Sequence, residues 1–485
     1  MSTPRQGSLT DRRINRRDFL KLAGRGVAGG VAILVVGSRL EWLEGNPAYA
    51  ATVHTLDFHM TDAMKQMVTH NSINDARCYF WIYKSVVPDL MPECPGPIIF
   101  ATRGDTVQIR LTNDLDEAHA FSIPGMVSSG PIAPGQTVTL SFTATTSGAH
   151  LYYDNLNEPV NRVMGLHGAF IVMPTAAVPG HKFTPYDNPT PHVQAIYDAF
   201  GSPVFPGLAW EQADAATGAT PFRTYIWLCH QASPNLFAEV GGLPPGEIYP
   251  AAQFQNAFLR DPFSPTNANR MAQYFTMNGQ SGHFVHGNPL IAPNLRVGEP
   301  CLIHVLNAGL WTHSLHIHAN HFYVTSVNGA VSPNPLWVDV YNIEPMDRID
   351  YTEPYMRPPD VPNARGIGRA DNPLTCIANP LIPGSAPHPV WPPTEEINSF
   401  FPALGTTVGT VPIHVQLSPL CYPAHDHSEP SQTAQGGNYN LGLIGGQNFT
   451  GDRNTPGGVT TFPNNPNMCP PNETREAAPE MEHEG

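Results

Sequence analysis

Two histidine-rich stretches are the parts of the sequence best suited to chemistry. HSLHIHANHF contains His316 and His318, and CYPAHDHSEP contains His425 and His427. Residues two apart on a β-strand point to the same face, so each stretch offers a pair of imidazoles. Imidazoles suit copper, zinc and iron. If the two strands are neighbours in one sheet, the sequence predicts a four-histidine metal site.

Three further residues in these stretches are candidate metal ligands or partners of the ligands. His313 lies on the other side of the alternation from His316, and Asp426 projects away from the histidines that flank it. These two side chains could meet in a hard metal site without sulfur. Alternatively, Asp426 and Glu429 are carboxylates that orient imidazoles through their second ring nitrogen, which is the role we favour. A single histidine in such a stretch would be interpreted as a surface residue or a hydrogen-bonded core residue. Two HxH pairs favour the interpretation that these histidines bind a metal ion.

The composition excludes several classes of protein. The chain has 485 residues, enough for two or three domains, with 52 Pro, 42 Gly and only 13% charged residues. Such a mixture is typical of short strands joined by turns. The net charge of −15 makes binding to nucleic acid or to anionic lipid by bulk electrostatics unfavourable.

The N-terminus resembles a twin-arginine export signal. Arg16 and Arg17 precede Phe19 and Leu20, an apolar run follows, and the small-residue motif AYA ends at Ala50. We expect the mature protein to be periplasmic or extracellular, with no integral membrane span after signal removal. The apolar run is short and rich in glycine, so a retained membrane anchor is the less favoured reading.

Alternating strand patterns predict an all-β fold of two sandwiches. The segments ATRGDTVQIRLTNDL and RVGEPCLIHVLNAG run in the same way from a polar turn into a strand that ends at Asn, which indicates an internal duplication. A long Pro-rich insertion is either a lid over a site or a surface excursion. The predicted divisions are a signal at 1–50, a first domain at 51–175, a connector at 176–222, a second domain at 223–450 with the insertion at about 355–409, and a tail at 451–485.

The seven cysteines fit no zinc ribbon and no CxxC motif. Their odd number leaves at least one thiol without a partner inside a monomer. Cys78 and Cys94 could form a disulfide after export, although the pairing cannot be assigned from sequence.

The histidine-rich stretches resemble those of the multicopper oxidase family. NAGLWTHSLHIHANHFYV is similar to the family's HPxHxHGHxFxV segment, and CYPAHDHSEP is similar to its closing HCHxxxH segment. The first sandwich, from GPIIFATRGDTVQIRLTN to GLHGAFIVMP, resembles the family's N-terminal cupredoxin domain. The resemblance implies two cupredoxin-like Greek-key domains, as in copper nitrite reductases and small laccases, copper as the cofactor, and a homotrimer.

The departures from the family pattern alter the expected chemistry. Asp426 stands where the family has the cysteine of its blue type 1 copper, and Ser431 stands where it has the last histidine. In the first domain, SIPG and YYDN replace the two histidine pairs, and Asp154 takes the second cysteine position. A hard carboxylate cannot replace a soft thiolate. We therefore expect one or two copper ions, none of the blue type, held by His316, His318, His425 and His427. Three other histidines match no motif position and are expected to be structural, namely His119, His150 and His167.

These observations favour an exported copper-dependent oxidoreductase that acts on a small-molecule or inorganic substrate. The alternative is a non-enzymatic cupredoxin scaffold in the cell envelope that has lost its redox copper. Metal storage would predict a tract of methionines, but the 14 Met are scattered. Zinc-dependent hydrolysis is weakened because no general base accompanies a paired nucleophile.

Overall fold

The structure is a computed structural model that describes most of the two predicted sandwiches. It describes residues 53–68, 75–86, 94–202, 204–205, 222–260, 270–282, 285, 291–356, 360, 362, 420–428 and 443–451, with the backbone alone of the short strands at 33–35, 376–377, 388–389, 407–408 and 411–412. The rest of the export signal, most of the insertion, Glu429 and the tail after Gly451 lie outside the described residues.

The N-terminal sandwich consists of two sheets. Its strands are β1 (Ile33–Val35), β2 (Val53–Met67), β3 (Ala76–Ser85), β4 (Ile98–Thr102), β5 (Thr106–Asn113), β6 (Ser122–Ile123), β7 (Val127–Ser128), β8 (Thr137–Thr143), β9 (Gly148–Tyr153) and β10 (His167–Met173). One sheet has the order β3-β2-β5-β8, and the other has the order β1-β4-β10-β9-β6-β7. Alternate residues of β5, such as Val107 and Ile109, point into the core, as the period of two predicts.

The C-terminal sandwich also has two sheets. In chain order the remaining strands are β11 (Arg223–Ala232), β12 (Tyr274–Met277), β13 (Asn294–Arg296), β14 (Cys301–Asn307), β15 (His313–Ile317), β16 (Phe322–Val327), β17 (Ala330–Val338), β18 (Val340–Ile343), β19 (Arg348–Glu353), β20 (Cys376–Ile377), β21 (His388–Pro389), β22 (Thr407–Val408), β23 (Val411–Pro412), β24 (Leu420–Asp426) and β25 (Ile444–Gly451). The two sheets have the orders β12-β11-β14-β19-β16-β17 and β13-β25-β24-β15-β18. β20 pairs with β21, and β22 with β23, outside these sheets. The prediction of an all-β fold with cupredoxin-like sandwiches is confirmed.

The two sandwiches repeat the same turn at the ends of β5 and β14. The Nδ2 of Asn113 donates a hydrogen bond to the carbonyl of Glu117, and the Nδ2 of Asn307 donates to the carbonyl of Trp311, each at 2.7 Å. The Oδ1 of each asparagine accepts from the backbone N–H two residues later. Both strands also lie parallel to the first long strand of their own sandwich. These matching contacts support the duplication that the sequence indicates.

Four helices lie outside the sheets: α1 (Val160–Val163), α2 (Pro191–Ala199), α3 (Pro234–Gly241) and α4 (Ala251–Phe258). Thr190 and Ser233 accept N-cap hydrogen bonds at the starts of α2 and α3, and a proline follows each of them. α3 packs Phe237 against Phe80 of β3, with the ring centroids 5.5 Å apart. Within the described residues, none of these helices combines the length and the apolar character needed to cross a bilayer.

An apolar cluster joins the two sandwiches. Ile98, Phe100 and Ile171 of the N-terminal sandwich pack in it with Leu302 of the C-terminal sandwich and Tyr197 of α2. Because both faces of β10 are covered, every residue of that strand is buried. Full burial of one such side chain contributes about 1.5–3 kcal/mol, so the shared cluster strongly favours a fixed arrangement of the two sandwiches.

The disulfide considered for Cys78 and Cys94 is not formed. Both residues are buried, and the thiol of Cys78 lies 3.7 Å from the carbonyl of Tyr79. Proximity in sequence and an exported setting were the only grounds for that bridge, and neither fixes the geometry that a disulfide requires.

Candidate metal centre

The two histidine-rich stretches are neighbouring strands. β15 and β24 are antiparallel, with His316 directly opposite His425. The strands extend their pairing beyond these residues, because the N–H of His318 donates to the carbonyl of Pro423 and that of His427 donates to Ser314. Since the side chains of HxH pairs share a face, this register brings all four imidazoles to one side of the sheet.

The four rings lie close to one another. The ring centroids of His316 and His318 are 4.8 Å apart, those of His316 and His427 are 4.9 Å apart, and those of His318 and His425 are 5.1 Å apart. The Nε2 atoms of His318 and His425 are separated by 3.0 Å. His316, His318 and His425 each place one ring nitrogen within 4.8 Å of the other two.

Backbone carbonyls orient two of these rings. The Nδ1 of His316 donates to the carbonyl of Asp339 at 2.8 Å, and the Nδ1 of His425 donates to the carbonyl of Asp426 at 3.1 Å. Each hydrogen bond fixes the proton on Nδ1 and leaves the lone pair on Nε2. This is the tautomer that a metal-binding imidazole needs.

The environment of the cluster lowers the pKa of two of its rings. Burial, reinforced by His316, lowers the pKa of His318 below its usual value. Burial is also the main cause of a lowered pKa at His425. Neutral imidazoles with converging lone pairs fit copper, whose bonds to nitrogen in such sites are about 2 Å long. His427 is exposed, so the cluster opens to solvent.

Asp426 does not contact the cluster through its side chain. Its Oδ2 lies 2.5 Å from Nδ1 of His313, and its Oδ1 accepts from the backbone N–H groups of Ser314 and Ser428. The second ring nitrogen of His313 is 2.7 Å from Nε2 of Gln231. The carboxylate and both ring nitrogens therefore have partners, so this pair forms a hydrogen-bonded network on the opposite face of β24.

The N-terminal sandwich contains a matching pair. Nδ1 of His119 lies 2.7 Å from Oδ2 of Asp154, and the amide of Asn161 donates to the same oxygen at 3.0 Å. Oδ1 of Asp154 accepts from the N–H of Leu156, two residues later, as Oδ1 of Asp426 does from Ser428. His119 has the structural role that the sequence predicts, but its pairing with Asp154 was not predicted. The aspartate that replaces cysteine in both repeats was the available signal.

The duplication shows which residues take the place of the four histidines in the N-terminal sandwich. Ser122 lies opposite Tyr153 in the sheet, as His316 lies opposite His425. Ser122 follows His119 by three residues, and Tyr153 directly precedes Asp154. His316 follows His313 and His425 precedes Asp426 with the same spacings. The equivalent side chains there are therefore a hydroxyl, a proline, a phenol and an amide, at Ser122, Pro124, Tyr153 and Asn155. Only the C-terminal sandwich carries the imidazole cluster at this place.

Comparisons with known proteins give a family match for the N-terminal sandwich. Residues 90–177 match the family described as multicopper oxidase. The chain is 31% identical over 117 residues to an L-ascorbate oxidase of Cucumis sativus, which covers 21% of this chain and 20% of that protein. This chain therefore carries a multicopper oxidase domain over residues 90–177.

Two further comparisons show partial similarity. The chain is 28% identical over 107 residues to a copper-containing nitrite reductase of Cereibacter sphaeroides, over 19% of this chain and 29% of that protein. A blue copper oxidase structure from Nitrosomonas europaea is similar over 82% of this chain and 85% of that one, with 15% identity and a TM-score of 0.48. The two curated matches thus span less than a third of either relative.

Strand β24 also carries a cysteine. Cys421 is exposed and lies four residues before His425. At about 3.3 Å of rise per residue, its Cα lies about 13 Å along the strand from that of His425. The family's characteristic thiolate position is instead occupied by Asp426.

Proposed function

We propose that this chain is a copper-dependent oxidoreductase whose metal centre is the four-histidine cluster on β15 and β24. The observation that carries the proposal is the register that sets His316 opposite His425, with four rings on one face. Membership of the multicopper oxidase family supports copper over other ions that imidazoles bind.

The residues of the chain have distinct parts in this activity. Copper would supply one-electron redox chemistry and Lewis acidity. The carbonyls of Asp339 and Asp426 hold the rings of His316 and His425 with their lone pairs outward. The exposed His427 lets a substrate approach from solvent without a buried channel. We infer that the substrate is a small phenol or a reduced inorganic ion, which can reach such an open centre.

The proposed centre is not of the blue type. The carboxylate of Asp426 occupies the thiolate position, and its oxygens are already bound to His313, Ser314 and Ser428. Without a cysteine between the two histidines, the chain lacks the residue through which type 1 copper passes electrons. Reduction and oxidation would therefore take place at the four-histidine centre itself.

Copper content together with electron paramagnetic resonance tests the proposal. We expect one or two copper ions per chain and no intense thiolate-to-copper absorption. The variant His316→Ala/His425→Ala should lose this copper and the oxidase activity while retaining its circular dichroism. His321→Ala is the matched control, because His321 lies in the same stretch but pairs with Asp360. A wild-type protein that refuses copper would instead indicate the envelope scaffold, and an intense blue band would contradict the assignment of Asp426.

Export by the twin-arginine pathway and assembly into a homotrimer are parts of the same proposal. The paired arginines before the apolar run support export. The homotrimer rests on the resemblance to two-domain relatives alone. N-terminal sequencing of the secreted protein, which we expect to begin near Ala51, and sedimentation of the purified protein test these two points.

A further inference from the structure

A second group of metal-binding side chains lies between the two sandwiches. Cys94, just before β4, His167 of β10 and His230 of β11 each place one donor atom within 4.8 Å of the other two. Their exposed fractions are 2%, 0% and 1%. The group is distinct from the four-histidine cluster, and the predicted ligand set did not include it.

Both imidazoles of this group are oriented by the end of α1. Nδ1 of His167 donates to the carbonyl of Arg162 at 2.8 Å, and Nε2 of His230 donates to the carbonyl of Val163 at 2.7 Å. These hydrogen bonds leave a lone pair on Nε2 of His167 and on Nδ1 of His230. The two ring centroids are 4.5 Å apart. Two neutral rings are therefore held close together, each with one nitrogen available.

One of these nitrogens has no partner among the described residues. Nε2 of His167 is fully buried and makes no hydrogen bond within the described residues. A buried polar atom without a partner is costly, and native proteins rarely leave one unless an ion or water satisfies it.

The charge of the surroundings selects the kind of ion. The guanidinium of Arg162 is buried beside the group, where it pairs with the carboxylate of Glu158, and the ammonium of Lys65 donates to the carbonyl of Cys94 at 3.1 Å. A monovalent cation on one thiolate adds no net charge to this interior, whereas a divalent ion would leave a buried positive charge at its ligands. A thiolate and imidazoles also suit monovalent copper, while structural zinc sites generally have four ligands.

We propose that Cys94, His167 and His230 bind one monovalent copper ion between the two sandwiches. The ion replaces the proton of the Cys94 thiol, which passes to solvent, and no change of oxidation state is involved. Because the site is closed, the ion enters while the chain folds. Its ligands come from both sandwiches, so it also links them.

The test uses the full chain in the His316→Ala/His425→Ala background, where copper at the four-histidine cluster has been removed. Protein from copper-supplemented cells is purified without oxygen, and its copper is measured with a chromogenic chelator of monovalent copper. We expect one ion per chain, silent in electron paramagnetic resonance, with a copper–sulfur shell in X-ray absorption. Adding Cys94→Ser should remove this ion. Cys301→Ser is the matched control, because its buried thiol donates to Glu353 and a hydroxyl can do the same.

The outcomes separate this proposal from that for the four-histidine centre. Sulfur-bound copper in the double variant supports the second site even if the wild-type protein has no oxidase activity. A wild-type spectrum without a copper–sulfur shell overturns it, and this measurement does not depend on whether Cys94→Ser folds. Unchanged copper after Cys94→Ser also overturns it. Zinc in place of copper, lost on the same substitution, overturns the assignment of a monovalent ion.

Discussion

Asp154 and Asp426 hold the same position in the two sandwiches, and each accepts a hydrogen bond from a buried histidine through Oδ2 and from the backbone two residues later through Oδ1. In the N-terminal sandwich Asp154 directly follows Tyr153, which pairs with Ser122. In the C-terminal sandwich Asp426 directly follows His425, which pairs with His316. The two sandwiches therefore contain equivalent hydrogen-bonded pairs of an aspartate and a buried histidine.

Replacing either aspartate with asparagine should destabilise the protein without changing its copper content. An amide keeps the shape of the side chain but weakens charge-assisted hydrogen bonds, so Asp154→Asn and Asp426→Asn should each lower the free energy of unfolding by about 1–3 kcal/mol. Urea unfolding measures this loss. Because the pairs lie in different sandwiches, the double variant should show the sum of the two effects.

The exposed ion pair of Asp57 and Arg110 provides the control for these variants. Asp57→Asn should cost less than about 1 kcal/mol, because solvent screens the pair. Loss of copper from Asp426→Asn would show instead that the carboxylate belongs to the metal centre.

A methyl group at Gly309 should disturb the network around His313. A Cβ there would lie 2.0 Å from Oε1 of Gln231, whose amide approaches His313. Gly309→Ala should therefore lower the free energy of unfolding by about 1–3 kcal/mol through overpacking. Gly445→Ala is the control, because the nearest atom to its added Cβ would be 3.7 Å away. Equal melting temperatures for the two variants would contradict the close approach.

His150 should make the stability of the protein depend on pH. Burial, reinforced by Arg348, lowers the pKa of His150 to about 4. The unfolded chain takes up a proton at this ring below about pH 6.5, whereas the folded protein resists it until about pH 4. The stability that the neutral ring contributes is thus present above pH 6.5 and is lost as the pH falls towards 4, by about 3 kcal/mol.

His150→Gln removes this titration. Urea unfolding between pH 7 and pH 4 should show a smaller loss of stability in the variant than in the wild-type protein. Measurement at pH 8, where the ring is neutral in both states, gives the effect of the changed packing alone. Parallel pH profiles for the two proteins would exclude a buried, neutral His150.

The apolar cluster between the sandwiches should make them unfold together. Leu302 is fully buried in it, and Leu302→Ala should cost about 2–5 kcal/mol. Scanning calorimetry should show one transition that moves to a lower temperature as a whole. Leu336→Ala is the control, because Leu336 is 49% exposed and its truncation should cost less than about 0.5 kcal/mol. Two separate transitions would show that the sandwiches unfold independently.

The residue pattern predicted the features that follow from strand periodicity. The spacing of His316 and His318 determines that they share a face, so adjacency of β15 and β24 was the only further condition for the cluster. The repeat was also visible, because Asn113 and Asn307 end corresponding strands.

Contacts between distant segments were beyond such reasoning. The group of Cys94, His167 and His230 depends on how the two sandwiches pack, and no spacing along the chain encodes that packing. The same limit applies to Asp426, because the sequence left open whether its carboxylate orients metal-binding imidazoles or joins His313 in a metal site. The structure pairs it with His313 because Ser314 and Ser428 hold its other oxygen.

The single turn of α1 contacts several buried polar groups near the junction of the sandwiches. Asn161 donates to Asp154, the carbonyls of Arg162 and Val163 accept from His167 and His230, and the guanidinium of Arg162 donates to the carbonyl of Gly309. The contacts with His230 and Gly309 cross to the C-terminal sandwich, so rotation of one sandwich against the other would break both of them. Hydrogen bonds as well as apolar packing therefore oppose such a twist.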